Sequence, residues 1–137
     1  MDRASRTKLR TVAAKPHWKE QPDAQDYPAA QSYLSLIMPA AQAKRMAGRL
    51  RRSEVGHFKA KDLLRASGLP LLQSDDVHVA KDLAKVKQGN RLSPVLLVRG
   101  NLTGHTPLIV ADGYHRICAS YHLDEDDDIP CRLIDAQ

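Results

Sequence analysis

The sequence has few aromatic residues and few cysteines, and it has no long apolar run. One Trp, four Tyr and one Phe stand among its 137 residues, so the core must consist mainly of Leu, Val, Ile and Ala. Its two cysteines lack a CxxC spacing, which excludes a disulfide framework and a zinc motif. No apolar run approaches the roughly 18 residues of a membrane-spanning helix, and no hydrophobic segment follows the N-terminal charges as in a signal peptide. We therefore expect a soluble, cytoplasmic protein without a membrane partner.

The net charge of +5 is unevenly distributed along the chain. Six basic residues lie in the first twenty positions, namely Arg3, Arg6, Lys8, Arg10, Lys15 and Lys19. Such a segment favours polyanions, but a solvated disordered terminus has the same composition. Residues 1–25 also lack hydrophobic periodicity, which predicts a flexible basic tail. Trp18 is the exception, and we expect it to dock on the protein's own surface.

Residues 26–53 predict a helical hairpin that extends the main body. Asp26 is placed to cap the first helix ahead of Pro28, and Pro39 separates the two helices. The predicted apolar faces are Tyr33, Leu34, Ile37 and Met38 in the first helix and Ala43, Met46, Ala47 and Leu50 in the second. The other faces of the second helix carry Lys44, Arg45, Arg49, Arg51 and Arg52. This basic coat is either a solvated face or a contact surface for an acidic partner.

Residues 54–137 alternate between short strands and helices. Strands are predicted at 57–59, 94–98, 108–110 and 129–134. Gly68 is placed to end one helix, and Asp75 or Asp76 to begin another whose apolar face is Val79, Leu83 and Val86. Cys118 and Cys131 are expected in the core. The pattern predicts an α/β (α+β) fold, a small mixed sheet with flanking helices, to which the N-terminal helical extension is added.

The most informative stretch is LIVADGYHRICASYHL at 108–123, where a strand leads directly into a helix. The first turn of a helix carries free N–H groups and a partial positive charge. His115 and Arg116 add donors there, and Gly113 allows close approach of a ligand or a positive φ. The turn is therefore predicted to bind an anion such as phosphate. Asp112 has three possible roles, which are to cap the helix, to orient His115 or to coordinate Mg²⁺.

A stripe of basic side chains follows on the preceding predicted helix. His78, Lys81 and Lys85 are spaced i, i+3 and i+7, so they project from one face. If this stripe faces the His115–Arg116 turn, the two surfaces form a basic cleft suited to a di- or triphosphate. If it faces solvent, it is an ordinary charged helix face.

The segment 57–135 resembles the ParB/sulfiredoxin superfamily. The resemblance lies in the order of a leading strand, a helix, SPVLLVRG, a hairpin, IVADGYHRICASYHL and IPCRLI. It implies that fold and a nucleotide cofactor such as ATP, ADP or CTP, with or without Mg²⁺. The residues it places at the phosphates are Gly113, Tyr114, His115, Arg116, His78, Lys81 and Lys85.

Three branches of the superfamily differ at the motif. Sulfiredoxins have GCHR, and Tyr114 stands here where their catalytic Cys would be, so sulfinic-acid chemistry is not expected. Partition ParB proteins have GERR and bind CTP, and no helix-turn-helix domain follows the motif here, so a full partition protein is not expected. Free-serine kinases have DGHHR, which differs from DGYHR at one position. That similarity implies an acidic base before the phosphate-side helix, at Asp75 or Asp76, although the kinases use Glu.

These features lead to two main hypotheses. The first is a nucleotide- or phosphate-binding domain, with Asp76, Asp112 and His115 as candidate catalytic residues of an NTPase or phosphotransferase. The alternative is a non-catalytic, DNA-associated module that contacts the DNA backbone through its tail and the helix at 44–52. A third possibility is an adaptor that has lost the use of its cleft.

Overall fold

A four-stranded mixed sheet forms the centre of the structure, a computed structural model in which residues 17–137 are described. The helices are α1 (Asp26–Leu34), α2 (Ala40–Arg52), α3 (Ala60–Ser67), α4 (Val77–Lys87) and α5 (Tyr114–Leu123). The strands are β1 (Val55–Lys59), β2 (Val95–Val98), β3 (Ile109–Asp112) and β4 (Asp128–Ile134). The spatial order is β1-β4-β2-β3, in which β4 runs parallel to β2 and antiparallel to β1, and β3 runs antiparallel to β2. The predicted small α/β fold is confirmed.

Both faces of the sheet are covered by helices. Along β2, Val95 and Leu97 belong to the core beneath α3, α4 and α5, while Leu96 and Val98 belong to the core beneath α1 and α2. All four residues of β2 are buried, because successive side chains of a strand point to opposite faces. This explains why the sequence of β2 is continuously apolar rather than alternating.

The hairpin of α1 and α2 forms one of the two helical layers and shares a core with the sheet. Its buried residues are Tyr27, Ala30, Leu34, Ala43, Met46 and Leu50. The face predicted for the first helix is partly wrong, because α1 already ends at Leu34. Ile37 therefore lies beyond the helix and is exposed, and Met38 lies at the edge of the core. Tyr33 lies within α1 but is exposed as well.

Asp26 does not cap α1, contrary to the sequence prediction. Gln25 occupies the N-cap position, and Asp26 is the first residue of the helix. Its carboxylate is instead turned inwards, where it accepts hydrogen bonds from Ser93 Oγ and from Arg116. A buried carboxylate needs hydrogen-bond donors, and in this fold Ser93 and Arg116 supply them to Asp26.

The segment 17–25 packs on the body, so the prediction of a flexible tail up to residue 25 is wrong for these residues. Lys19 N–H donates to the Leu92 carbonyl at 2.7 Å, and Leu92 N–H donates to the His17 carbonyl at 2.6 Å. Trp18 is buried, as its predicted docking on the body requires. Residues 1–16 of the predicted tail lie outside the described residues.

The end of α3 and the beginning of α4 fall where the sequence predicts. Gly68 follows α3 at a φ of +69°, and the Asp76 carboxylate caps α4. Val79 is buried, Leu83 and Val86 pack against the same core, and Cys118 and Cys131 are both buried within it. Among residues 17–137, no helix has both the length and the apolarity of a membrane-spanning segment.

Candidate anion-binding site

In the turn between β3 and α5, the backbone of Gly113 lies very close to the side chain of Val95 in β2. Gly113 has a φ of +109°, and a Cβ at this position would lie 2.4 Å from Val95 Cγ1. Only glycine fits both the conformation and the space. The register between β2 and β3 also shifts at Leu96 and Leu97, opposite Asp112, as bulges near functional sites often do.

The N-terminus of α5 has no side-chain cap. Gly113 occupies the N-cap position, and its carbonyl accepts the first helical hydrogen bond, from Ile117 N–H at 3.0 Å. The capping role considered for Asp112 is therefore wrong. The N–H groups of the first turn have no capping side chain and carry the partial positive charge of the helix end.

The basic stripe of α4 faces this turn. His78, Lys81 and Lys85 line a cleft of about 250 Å³ together with Gly113, His115 and Arg116. The ring centroids of His78 and His115 are 4.6 Å apart, which joins the two helices at the cleft. Lys81 and Lys85 remain exposed at its rim. Of the two alternatives that the sequence left open for the stripe, the structure shows the one in which it faces the turn.

Three carboxylates, two of which the sequence analysis missed, also line the cleft. They belong to Asp26, Asp82 and Asp112. Arg116 Nη2 lies 2.6 Å from Asp112 Oδ2, and Arg116 Nη1 lies 3.3 Å from Asp26 Oδ2. The guanidinium is therefore held between a carboxylate of β3 and one of α1, and its side chain is only 14% exposed.

The cleft is mixed in charge rather than basic as predicted. The three carboxylates balance the three permanent cations Lys81, Lys85 and Arg116, and His78 and His115 add positive charge only when protonated. Burial raises the pKa of Asp112, although Arg116 opposes this shift. The neighbouring carboxyl of Asp26 raises the same pKa further.

Asp82 is the carboxylate of the cleft that lacks a hydrogen-bond donor. Its residue is 8% exposed, and the nearest cation, Lys85 Nζ, lies 3.9 Å away. No donor within residues 17–137 lies within hydrogen-bond distance of this carboxylate. Burial raises the pKa of Asp82, because the charged form loses its hydration.

Two predicted site residues lie outside the cleft. Tyr114 begins α5, but its hydroxyl donates to the Pro70 carbonyl and its ring packs at the edge of the core. Asp76 accepts the N–H groups of His78 at 2.9 Å and Val79 at 3.1 Å. The Val79 N–H contributes most to holding the pKa of Asp76 below its ordinary value, which makes this carboxylate a weaker base.

The residues of the cleft do not form a protein-made site for Mg²⁺. Within the part of the chain that the structure describes, no group of three or more His, Cys, Asp or Glu side chains could hold a metal ion. Asp112, the predicted ligand, is bound to Arg116. Magnesium ions are commonly bound through substrate phosphates and one or two carboxylates, and such binding would require the phosphates themselves.

No family model, curated protein or solved structure matches this chain significantly. The resemblance to the ParB/sulfiredoxin superfamily therefore depends on the residues of the motif and the order of the elements.

Proposed function

We propose that the cleft between α4 and α5 binds the phosphate groups of a nucleotide, within a domain of the ParB/sulfiredoxin type. One observation carries the proposal: His78, Lys81 and Lys85 of α4 face His115, Arg116 and the uncapped N-terminus of α5. Backbone N–H groups, a helix dipole and several cationic side chains around one cleft are the combination that phosphate-binding sites use.

The contacts of Arg116 indicate how a phosphate enters the site. Its contact with Asp26 is longer than its contact with Asp112, at 3.3 Å against 2.6 Å. A phosphate oxygen therefore displaces Asp26 more readily than Asp112 from the guanidinium. In the proposed complex, Asp112 keeps the arginine oriented while the phosphate receives hydrogen bonds from the helix terminus and His115.

Thermal unfolding with nucleotides tests the proposal directly. ATP, ADP, CTP and GTP are added with and without Mg²⁺, since a ligand that binds only the folded state raises the melting temperature. We expect His115→Ala to abolish the shift. His57→Ala is the matched control, because His57 is exposed on β1 and does not line the cleft. The absence of a shift with every nucleotide, or an equal shift in His115→Ala, would contradict the proposal.

The proposal is limited to binding, because the predicted catalytic residues have other contacts. Asp76, the predicted base, caps α4 outside the cleft, and Asp112 is bound to Arg116. The cleft therefore gives hydrolysis or phosphotransfer no support beyond His115, which does line it.

The basic face of α2 favours a second candidate, a DNA-associated module. Lys44, Arg45 and Arg52 are exposed, and within residues 17–137 none of them has an acidic partner. Arg51 lies over the Tyr27 ring, 4.5 Å from its centroid. Basic residues at a helix C-terminus also stabilise the helix itself, so a test is needed that reports contacts with DNA.

The salt dependence of DNA binding provides that test. Changing Lys44, Arg45 and Arg52 together to Gln should lower the slope of log affinity against log salt by about one unit per lost phosphate contact. The basic N-terminal segment is tested by deleting residues 1–16, since a longer deletion would remove buried Trp18. An unchanged slope in both variants would exclude this candidate.

A further inference from the structure

A second cleft adjoins the phosphate cleft. It measures about 380 Å³, and its own lining includes Lys19, Gln25, Asn90, Arg91 and Ser93. Four residues line both clefts, namely Asp26, Asp82, Lys85 and Arg116. The two clefts therefore meet at these four side chains.

The second cleft combines charged side chains, Asp23 among them, with two amides that suit the uncharged polar part of a ligand. Gln25 and Asn90 carry amides, each of which donates and accepts hydrogen bonds. Arg91 supplies a planar guanidinium, which stacks on flat rings. These groups match the edges and the faces of a nucleobase, and they come from two segments, residues 19–25 and 90–93, outside the phosphate turn.

The junction of the two clefts contains a carboxylate that accepts no hydrogen bond from residues 17–137. Asp82 lines both clefts, and its side chain is 12% exposed. A largely buried carboxylate is stabilised when it accepts a hydrogen bond. A ligand that brings a donor to this point would satisfy the carboxylate.

We propose that a nucleotide lies across both clefts, with a ribose hydroxyl donating to Asp82 at the junction and the base in the second cleft. This inference depends on the proposed phosphate binding and adds a specificity-determining residue to it. A ribose is the part of a nucleotide that lies between phosphate and base, and its hydroxyls are neutral donors. A carboxylate also repels phosphate, so Asp82 favours a hydroxyl over a phosphate at the junction.

Binding isotherms with matched probes test the role of Asp82. The probes are ATP, CTP and GTP, their 2′-deoxy and 3′-deoxy forms, and inorganic tripolyphosphate. For a bound nucleotide, removing the hydroxyl that contacts Asp82 should weaken affinity about tenfold, the expected effect of a hydrogen bond to a charged group. In Asp82→Asn this difference should become smaller, because a hydroxyl forms a weaker hydrogen bond with a neutral amide carbonyl than with a carboxylate. Tripolyphosphate should bind the variant at least as tightly as the wild type, because a repelling carboxylate has been removed.

Two further variants complete the design. Asn90→Ala should weaken nucleotide binding but leave tripolyphosphate binding unchanged, because Asn90 lines only the second cleft. Asp62→Asn is the control for the charge change, since Asp62 is on α3, lines neither cleft and, among residues 17–137, forms an ion pair only with Arg65. It should leave every affinity unchanged.

The outcomes separate this inference from the proposed function. If nucleotides bind the wild type but the ribose and deoxyribose forms bind equally, the role of Asp82 is overturned and phosphate binding stands. The same holds if Asp82→Asn retains the full preference for ribose. If tripolyphosphate binds as tightly as every nucleotide, the second cleft is not used. If no probe binds the wild type, both proposals fail.

Discussion

Asp26 and Arg116 are 90 residues apart in the chain, yet Asp26 Oδ2 lies 3.3 Å from Arg116 Nη1. Asp26 belongs to α1 of one helical layer and Arg116 to α5 of the other. Both side chains are largely buried, so this ion pair joins the two layers at the candidate site. The site consequently depends on the N-terminal hairpin as well as on the motif.

Removing the Asp26 charge should have opposite effects on stability and on phosphate binding. Asp26→Asn breaks a buried pair, and we expect it to lower the free energy of unfolding by about 2 kcal/mol. The same change releases one side of Arg116, so tripolyphosphate should bind more tightly. Urea unfolding and binding isotherms measure the two effects. Asp62→Asn is the control, because its pair with Arg65 lies at the surface and should contribute under about 0.5 kcal/mol. Equal losses of unfolding free energy in both variants would show that the buried pair contributes no more to stability than a surface pair.

Gly113 should tolerate alanine less well than Gly89. Both have a positive φ, +109° and +85°, so each substitution strains the backbone. A Cβ at Gly89 meets nothing within 4 Å, whereas at Gly113 it meets Val95 Cγ1 at 2.4 Å. We expect Gly89→Ala to cost about 1 kcal/mol and Gly113→Ala to cost about 1–3 kcal/mol more, as overpacking does. Urea unfolding of the two variants measures the difference in their free energies of unfolding. Similar losses in the two variants would show that the Val95 side chain moves away from the added Cβ at little cost.

The parts of the site that could be predicted are local in sequence. The strand, glycine and basic pair of the motif are adjacent residues, and the stripe of His78, Lys81 and Lys85 follows from helical spacing alone. Gly68 and Asp76 end and begin their helices as predicted because capping depends on residues within one turn. Local rules therefore identified most of the cationic side of the cleft.

The acidic side of the cleft was not predicted, for two different reasons. Asp26 reaches the site only through the packing of α1 on the sheet, which no local pattern encodes. Asp82 had a signal that was overlooked, because it lies four residues after His78 and three before Lys85, on the same stripe. The stripe was interpreted by its basic members alone, which led to the incorrect expectation of a basic cleft.

Asp82→Asn should stabilise the protein in the absence of ligand. Burial raises the pKa of this carboxyl in the folded state, so ionising it opposes folding. The free energy of unfolding of the wild type therefore falls as the pH rises from about 3.9, the ordinary carboxyl pKa, through the higher pKa of the folded state. That of the variant does not fall, because the amide cannot ionise. At neutral pH we expect a gain in free energy of unfolding above the roughly 0.5 kcal/mol typical of surface changes. The gain in free energy of unfolding should vanish in acid. A loss of stability in the variant at neutral pH would show that the attraction of Lys85 stabilises the Asp82 carboxylate by more than its burial destabilises it.

Asp127 holds the N-terminal segment on the body. Its Oδ2 accepts from His17 Nε2 at 2.9 Å, Trp18 Nε1 at 3.0 Å and Ser120 Oγ at 2.7 Å. Burial alone would raise the pKa of Asp127, but the hydrogen bonds from His17, Ser120 and Trp18 outweigh it and hold the pKa below its ordinary value. The ionised form is thus the one that stabilises the fold.

The stability that Asp127 contributes should be lost in acid. Because its folded pKa is depressed, the contribution is complete above the unfolded carboxyl pKa of about 3.9 and disappears as the pH falls through the folded value. At neutral pH we expect Asp127→Asn to lower the free energy of unfolding by about 1–3 kcal/mol. Urea unfolding at a series of pH values should show that the difference in free energy of unfolding between the variant and the wild type becomes smaller below about pH 4. Asp75→Asn, at an exposed position, should follow the wild type throughout. A gap that stays constant into acid would mean that the three donors stabilise the neutral carboxyl equally well.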